Sequence, residues 1–524
     1  MMTTIAITAR SLTFELDNEA PYFAPESNSV YINDKLVHGL WDKNILSLYG
    51  LQPATSYKVS IIGQATGDVH EIRVKTKSES VRLNVVKFGA VGDGLHLDSQ
   101  AIQAAIAACP KDGTVWIPKG IYLCTPLFMK SHITLYLDEG AILLGHSERS
   151  YYPILPGYTL MTDESDDYYI GTWEGNPLDA YASLITALDV VDFTLAGQGI
   201  IDGNAHNSDW WVTPKIKRQA WRPRTLFMKD CSECLIQGVT VRNSPSWTIH
   251  PYLSEKLSFI DLKVMNPKNS PNTDGLDPES CRDLRIIGVD FSVGDDCIAI
   301  KSGKVYMGKK LKRASERFTI RNCRMRHGHG AVVIGSEVSA GAKDIEVSRC
   351  YFEETDRGLR IKTRRGRGED GIIDNITFKQ IKMKDVLTPF VMNMYYFCDP
   401  DGKTPYVWSR EKMPVDEWTP CLGSFRFETI DCEGCQVSAG AFYGLPEQAI
   451  KEITMKDVVI KFAQVCEPGQ AAMMSFAEDV SRQGIVAEFV DKLRLQDVSI
   501  QGFKGPRVSG NAGTEIIEIR KDRK

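Results

Sequence analysis

The stretch Asp283-Leu284-Arg285-Ile286-Ile287-Gly288-Val289-Asp290-Phe291 carries the pattern that decides the fold, two short strand-like runs joined by a bend. Related phrases recur along the chain at residues 234–241, 256–264, 317–325, 344–352, 375–383, 452–460 and 492–500. Through the middle of the chain the copies are separated by roughly 22 to 34 residues, a period typical of a solenoid. Because the repeats are strands without intervening helices, we predict an all-β fold, a right-handed parallel β-helix. A β-sandwich would need hairpin turns of the Asn-Gly type, which are scarce here.

Residues 1–78 carry a different pattern of short alternating strands, such as Ser11–Leu16 and Glu71–Val74. Between them, Gly50-Leu51-Gln52-Pro53-Ala54-Thr55-Ser56-Tyr57 resembles the Leu-x-Pro corner of a fibronectin type III sandwich. An unrelated small β domain is the alternative. We predict a small β-sandwich domain over residues 1–78, which we expect to act as a spacer, followed by the solenoid over residues 79–524. Residues 75–80 are polar and are interpreted as the linker.

The composition is that of an ordinary soluble globular protein, with 524 residues, 43% of them hydrophobic and 25% charged. A net charge of −5 gives no electrostatic case for nucleic-acid binding. No apolar run is long enough to predict a membrane span. The N-terminus shows no secretory signal, so we expect a cytoplasmic protein, or a secreted or periplasmic one if a signal was trimmed. The thirteen cysteines favour free thiols over a disulfide framework.

One helix is predicted, over Gln100–Cys109, with Asp98 and Ser99 as candidate N-caps. Its apolar residues share one face, so we expect it to cover the end of an apolar core. The glycine-rich run at 89–94 lacks the Gly-Lys-Ser/Thr of a phosphate-binding loop, which makes nucleotide binding unlikely.

Acidic residues come just before two apolar runs, in Asn272-Thr273-Asp274-Gly275 and in Gly294-Asp295-Asp296-Cys297. Asp is depleted in strands, so propensity does not explain these positions. Adjacent coils of a solenoid lie about 4.8 Å apart, and these segments are separated by about one coil. Gly328-His329-Gly330 and Arg360-Ile361-Lys362 follow at the equivalent place in later coils. We therefore predict that three acids, a histidine and two cations form one stripe; a calcium site or ordinary turns are the alternatives.

The stripe favours hydrolysis of an acidic sugar polymer. Arg360 and Lys362 are two residues apart on a strand and point the same way, which suits a substrate that bears carboxylates. Carboxylates without a nucleophile–base pair point to glycoside hydrolysis. The later Arg364, Arg365 and Arg367 either add positive field or are solvated loop charges. Zinc is a minor alternative, suggested by the paired cysteines Cys231/Cys234 and Cys432/Cys435.

From about Val85 to the C-terminus the chain resembles glycoside hydrolase family 28, the polygalacturonases, whose fold is a pectin-lyase-like β-helix. The four segments just described carry the resemblance. The supporting phrases are Gly197-Gln198-Gly199-Ile200-Ile201-Asp202-Gly203-Asn204, Trp210-Trp211 and Asn243-Ser244-Pro245-Ser246-Trp247-Thr248-Ile249-His250-Pro251. The resemblance implies hydrolysis of galacturonan and requires neither metal nor cofactor.

The resemblance implies that Asp295 is the general acid and that Asp274 and Asp296 activate the attacking water, with inversion at the anomeric carbon. An inverting pair is expected to lie about 6.5–9.5 Å apart. Consecutive strand residues face opposite ways, so Asp295 and Asp296 can both serve only if the chain bends, as Gly294 allows. His329 is expected to tune the acid or share its proton.

The resemblance also implies binding roles. Arg360 and Lys362 are expected to hold galacturonate carboxylates, and Asn272 and Tyr396 are weaker candidates for sugar contacts.

The N-terminal domain and two insertions, at about 152–179 and 397–420, favour an exo-acting enzyme by analogy with bacterial relatives of that layout. Long loops inside a solenoid are usually functional, and these could close one end of a groove. An endo-acting enzyme or a hydrolase of decorated pectin is the alternative within the family. Outside it, a calcium-dependent polysaccharide lyase and a non-catalytic glycan-binding solenoid remain open.

Overall fold

The recurring phrases form consecutive strands of one parallel sheet. In the computed structural model, which describes residues 2–158 and 169–519, Ile286 pairs with Ile320 and Ile320 pairs with Val347 on the next coil. These phrases therefore stack on one another without a shift of register. The prediction of a right-handed parallel β-helix is confirmed.

The largest sheet, called the long sheet, contains 24 strands within the described residues. Its strands are Arg82–Asn84, Asp93–Leu97, Gly113–Ile117, Gly120–Cys124, Ile133–Leu137, Ala141–Gly145, Thr194–Gly197, Ile200–Asp202, Leu235–Gln237, Thr240–Arg242, Ser258–Ile260, Lys263–Met265, Arg282–Ile287, Asp290–Ser292, Ser315–Arg321, Arg324–Arg326, Ala342–Ser348, Tyr351–Glu353, Ile372–Lys384, Cys421–Leu422, Ser424–Cys435, Ile450–Phe462, Val490–Gln501 and Glu515–Ile519.

A second sheet, called the groove sheet, closes each coil. Its two parts, of four and seven parallel strands, are linked through bridges from Leu276 to Ile249 and to Ile298. Its strands are Leu127–Phe128, Ile185–Leu188, Leu226–Lys229, Ile249–Tyr252, Ile298–Ile300, Val332–Gly335, Arg357–Lys362, Thr388–Asn393, Ser438–Tyr443, Gln483–Glu488 and Lys504–Gly510. The short strands Ile154–Leu155 and Ala180–Tyr181 pair outside it.

The core lies inside the coils and is built from ladders of equivalent apolar residues. One ladder runs through Val264, Phe291, Met325, Phe352 and Met383, all at 0% exposure. Burying a side chain of this size stabilises the fold by about 1.5–3 kcal/mol. Each coil contributes such residues, so stability accumulates along the solenoid.

The helix Ser99–Ala108 covers the N-terminal end of this core, as predicted, with Ile102 and Ile106 buried. The predicted capping is wrong in detail, because the Asp98 carboxylate accepts the N–H groups of Val91 and Gly92 instead of capping the helix. The other helices of the described residues are Val305–Leu311 and Pro405–Trp408, with short 3₁₀ turns at Val85–Phe88, Arg149–Tyr151 and Ala205–Asn207.

The N-terminal residues form two antiparallel sheets that share one apolar core, including Phe14, Val30, Leu46 and Ile61. The strands are Met2–Ile7, Leu12–Leu16 and Ile45–Leu48 in one sheet, and Phe23–Ile32, Lys35–Lys43, Ser56–Gly63 and Val69–Lys75 in the other. The small β-sandwich is therefore present. The likeness to fibronectin type III and the boundary at residue 78 remain predictions.

The N-terminal domain packs against the side of the solenoid, and its role as a spacer stays a prediction. The buried Glu15 carboxylate accepts hydrogen bonds from Arg321, Asn322 and Arg349, at 2.7–3.0 Å. Asn44 also donates to Asn322 at 3.0 Å. These partners lie on two adjacent coils, so one carboxylate ties the domain to both.

Candidate active site

The predicted stripe lies on the groove sheet. Arg360 is in register with Val333 and Lys362 with Gly335, while Asp295 and Asp296 stand in a bend just before the strand that starts at Ile298. The predicted bend is thus present. A Cβ at Gly294 would lie 2.4 Å from the Ser270 carbonyl oxygen, so only glycine fits there.

The three acids meet at one point. One carboxylate oxygen from each of Asp274, Asp295 and Asp296 lies within 4.8 Å of the others. This limit applies to one oxygen of each residue, so the expected separation of about 6.5–9.5 Å between the acid and base groups stays a prediction. A water bound by hydrogen bonds of about 2.8 Å to each side still fits between two of them.

Asp296 is held as a carboxylate by two cations. Its oxygens lie 2.7 Å from Lys362 Nζ and 3.4 Å from Arg360 Nη1. Burial alone would raise the pKa of Asp296, but Lys362 and Arg360 outweigh it and lower the pKa to about 2. Asp296 is therefore ionised across the physiological range.

Asp274 has the opposite environment. It is buried, and within the described part of the chain its Oδ1 has no hydrogen-bond partner. Burial, followed by the nearby charges of Asp277 and Asp295, raises the pKa of Asp274 well above its usual value. Asp274 and Asp296 are neighbours in the site, yet the pKa of Asp274 is raised and that of Asp296 is lowered.

His329 lies beside the most accessible acid. Its Nδ1 is 3.2 Å from Asp295 Oδ1, and the Asp295 side chain is 23% exposed. The hydrogen bond to Asp295 raises the pKa of His329 above its usual value, against the effect of burial. His329 and Asp295 can therefore share one proton at the mouth of the site.

A buried lysine behind the acids was not predicted. Lys301 Nζ lies 3.0 Å from Glu337 Oε2, 3.6 Å from Asp277 Oδ1 and 4.3 Å from the centre of the Trp247 ring. The sequence signal was available, since Lys301 ends the apolar strand Ile298–Ile300 and a buried lysine needs anionic partners.

These residues line a cavity of about 470 Å³, which is a volume suited to a small ligand. Its walls include all eight predicted site residues, Asn272, Asp274, Asp295, Asp296, His329, Arg360, Lys362 and Tyr396. Further lining residues were not predicted, among them Trp173, Glu174, Lys304, Asp399 and Met473.

Asn272 and Tyr396 contact the charged groups of the cavity. Asn272 Oδ1 accepts a hydrogen bond of 2.7 Å from Arg222. The Tyr396 ring centre lies 5.7 Å from Lys362 Nζ and 6.0 Å from the Arg360 guanidinium carbon, and burial raises the pKa of Tyr396 to about 12. Tyr396 therefore acts as a neutral wall beside the two cations.

Three tryptophans form one end of the cavity. The Trp173 ring is stacked on Trp221, with centroids 4.8 Å apart at an angle of 3°, and lies 6.2 Å from Trp247 at 10°. The Arg224 guanidinium lies 5.2 Å from the Trp173 ring and 5.1 Å from the Trp247 ring. The predicted insertion at 152–179 supplies Trp173, although its residues 159–168 lie outside the described part of the chain.

The three later arginines are structural. Arg365 pairs with Glu447 at 2.5 Å, while Arg364 and Arg367 reach Asp399 at 3.1 and 2.7 Å. All three side chains are at most 5% exposed, so their interpretation as solvated charges is wrong.

Metal ligation by the paired cysteines gains no support from their contacts. Cys231 Sγ and Cys234 Sγ donate to main-chain carbonyls, as does Cys435 Sγ. Within residues 2–158 and 169–519, the three acids of the stripe are the one group of three or more acidic, histidine or cysteine side chains close enough to share an ion.

Comparison with known proteins gives concordant matches. A family model described as "Glycosyl hydrolases family 28" matches residues 153–407, and one described as "Rhamnogalacturonase A/epimerase, pectate lyase-like" matches residues 82–141. A probable polygalacturonase of Vitis vinifera is 31% identical over 393 residues, covering 72% of this chain and 74% of the relative. An exo-poly-alpha-D-galacturonosidase of Dickeya chrysanthemi is 25% identical over 411 residues, covering 68% and 65%.

Two solved structures share the fold. The family 28 exopolygalacturonase of Yersinia enterocolitica aligns with a TM-score of 0.70 at 20% identity, covering 100% of this chain and 98% of that chain. A hyperthermoactive exopolygalacturonase of Thermotoga maritima aligns with a TM-score of 0.64 at 24% identity, covering 80% and 92%. The first alignment includes the N-terminal sandwich as well as the solenoid.

Proposed function

Since this chain belongs to glycoside hydrolase family 28 and is a pectin-degrading glycoside hydrolase, we propose that it hydrolyses α-1,4 linkages between galacturonate residues and acts from a chain end. The choice of substrate rests on the position of Arg360 and Lys362. These two fixed cations line the same cavity as the three acids. A cationic pair beside catalytic carboxylates suits a sugar that bears a carboxylate.

Asp295 acts as the general acid in this proposal. It is the most accessible of the three acids, and His329 lies at 3.2 Å to share its proton. A proton held at this point can pass to the glycosidic oxygen as the bond breaks. After bond cleavage, the His329–Asp295 pair regains a proton from solvent.

Asp296 and Asp274 hold the attacking water. Asp296, kept ionised by Lys362 and Arg360, accepts a hydrogen bond from the water, and Asp296 and Asp274 together take up the proton that the water loses. Asp274 accepts a hydrogen bond from the same water through its unpartnered oxygen. Two carboxylates that face one gap suit a shared water better than a covalent intermediate, so we propose inversion at the anomeric carbon.

Carboxyl groups about 5 Å apart are typical of retaining enzymes and groups about 6.5–9.5 Å apart of inverting ones, so the stereochemistry of the product is a direct test. Proton nuclear magnetic resonance of freshly released product distinguishes the two results. We expect the β anomer to appear first from the α linkage. Initial appearance of the α anomer would contradict the roles given to Asp274 and Asp296.

Action from a chain end is supported by the burial of groove-sheet residues on both sides of the three acids. On the N-terminal side, the outward-facing His250, Asp277 and Glu279 are all at 0% exposure. On the C-terminal side, Asn393 is at 2%, and its side chain donates to the Met473 carbonyl. An open groove would leave such outward-facing residues accessible, so their burial supports a pocket that admits few sugar units.

The substrate and reaction class are tested together by incubation with polygalacturonate and with its carboxyl-reduced form. We expect new reducing ends from polygalacturonate, weak activity on the neutral polymer, and no dependence on added chelator. The variant D295N is expected to lose at least about 100-fold in kcat, the lower range for removing a general acid. Unsaturated products or inhibition by chelator would instead indicate a lyase.

Cytoplasmic location is a separate proposal, with a secreted or periplasmic location, if a signal was trimmed, as the alternative; the thirteen free cysteines, ten of them buried, suit the first. Free thiols persist in reducing compartments. Cell fractionation tests it, and activity confined to the medium or periplasm would contradict it. Among the described residues no helix is long and apolar enough to cross a membrane.

A further inference from the structure

Lys304 lies where the two insertions meet. It follows the groove-sheet strand Ile298–Ile300 and immediately precedes the helix Val305–Leu311. Its side chain is 21% exposed and lines the cavity. The groups around it come from both insertions, which are far apart in sequence.

On one side Lys304 holds the turn Trp173–Asn176, which carries the stacked tryptophan. Its main-chain N–H donates to the Gly175 carbonyl at 2.9 Å, and its Nζ lies 3.8 Å from Glu174 Oε2. Gly175 has a φ of +73°, and a Cβ there would lie 2.6 Å from the Lys304 nitrogen. The turn therefore sits directly against the Lys304 backbone.

On the other side Lys304 holds the insertion 397–420. Its Nζ lies 3.2 Å from Asp399 Oδ1, and Asp399 is fixed in turn by Arg364 and Arg367. Burial opposes the charge of Lys304, but Glu337, Asp399 and Glu174 outweigh it and raise the pKa of the lysine. The ammonium group thus bridges two acids, one from each insertion.

We propose that Lys304 is a positioning residue that sets the length of the released product, by holding the Trp173–Asn176 turn against the 397–420 insertion as the end wall of the pocket. This inference rests on the proposed action from a chain end. The wall limits how many sugar units lie between it and the bond that is cut. When the tie is lost, the turn moves and longer products are released.

The test is the length of the first products from a defined oligogalacturonide, measured by chromatography at early times for wild type, K304M and K304R. K379M is the matched control, since Lys379 forms an ion pair of 2.9 Å with Glu346 on the outer face of the solenoid. We expect K304M to release products at least one unit longer, K304R to restore much of the wild-type pattern, and K379M to match wild type.

A second variant, G175V, approaches the same contact from the turn, since its side chain would press on the Lys304 backbone. It is expected to lengthen the products in the same way. Wild-type first-product length in a folded K304M or G175V would overturn the inference, and so would loss of all cleavage in folded K304M. A ladder of products from the wild-type enzyme would instead contradict action from a chain end.

Discussion

Asp295 and Asp296 are neighbours in sequence, yet the bend at Gly294 gives them different partners. Asp296 is buried against Lys362 and Arg360, whereas Asp295 is accessible and lies against His329. When the environments of two nearby acids shift their pKa values apart, one site obtains both an acid and a base. The chemistry therefore depends on which cation or imidazole each acid touches.

The role of His329 predicts a change in pH dependence. Because the pKa of His329 is raised, the proton shared with Asp295 is retained above the usual imidazole range and lost as the pH rises further. In H329Q that proton would rest on a carboxyl group alone, and carboxyl groups release protons at lower pH than imidazolium. We expect the alkaline limb of kcat/KM to move to lower pH. An unchanged limb would show that His329 does not share the catalytic proton.

At the scale of single residues, the sequence motifs identified the residues that line the site but not the buried residues behind them. The eight predicted residues all line the cavity. Lys301 and Asp277 were not predicted as part of the site. The apolar strand before Lys301 was a signal for a buried lysine, but its partners Asp277 and Glu337 lie on neighbouring coils. That pairing is a tertiary contact, which local sequence patterns do not encode.

The elements of the solenoid depend on bends between paired strands, many of them in the left-handed region. Gly238, with a φ of +81°, separates Leu235–Gln237 from Thr240–Arg242. Asp261 and Asn322 occupy similar bends at φ values of +53° and +52°. Asn and Asp tolerate this conformation better than most residues, so bends can form without glycine in every coil.

One bend gives a stability prediction. A Cβ at Gly238 would lie 2.1 Å from Tyr49 Oη and 2.5 Å from the Gly197 carbonyl oxygen, whereas at Gly502, with a φ of +82°, the nearest atom is 3.4 Å away. G502A should lose about 1–2 kcal/mol from backbone strain alone. G238A should lose more, because it adds a clash to the same strain. Urea unfolding measures both, and equal losses would contradict the argument.

Element prediction from the sequence succeeded where periodicity was strong. The repeated phrases gave the strands and their stacking, and the helix near residue 100 was found within one residue at each end. The cap was misassigned because Asp98 has main-chain donors at Val91 and Gly92, in the preceding loop. Local patterns did not distinguish those donors from the helix N-terminus.

At the scale of the whole molecule, the sandwich and the solenoid behave as one packed body. The contacts join residues that are far apart in sequence. Glu15 precedes Arg321 by 306 positions and Asn322 by 307. This packing was not predicted, because the sequence of the small domain does not reveal which surface it packs against; the role of the domain as a spacer stays a prediction.

Glu15 gives the prediction at this scale. E15Q leaves Arg321 and Arg349 without their buried carboxylate and should destabilise the protein by about 3 kcal/mol, in the range for breaking a buried ion pair. Its kcat/KM should be unchanged, because Glu15 lies outside the catalytic cavity. E71Q is the control, since Glu71 is 43% exposed and pairs with Lys58 at the surface. Equal unfolding free energies for the two variants would mean that Glu15 does not join the domains.

The central claim, a pocket that cuts galacturonan from a chain end, is tested most directly by the products formed from polygalacturonate at the earliest measurable times. We predict a single short product from the start, with little loss of viscosity for each bond cleaved. A ladder of oligogalacturonides with rapid loss of viscosity would contradict the closed pocket. No cleavage by a folded protein would contradict the choice of galacturonan itself.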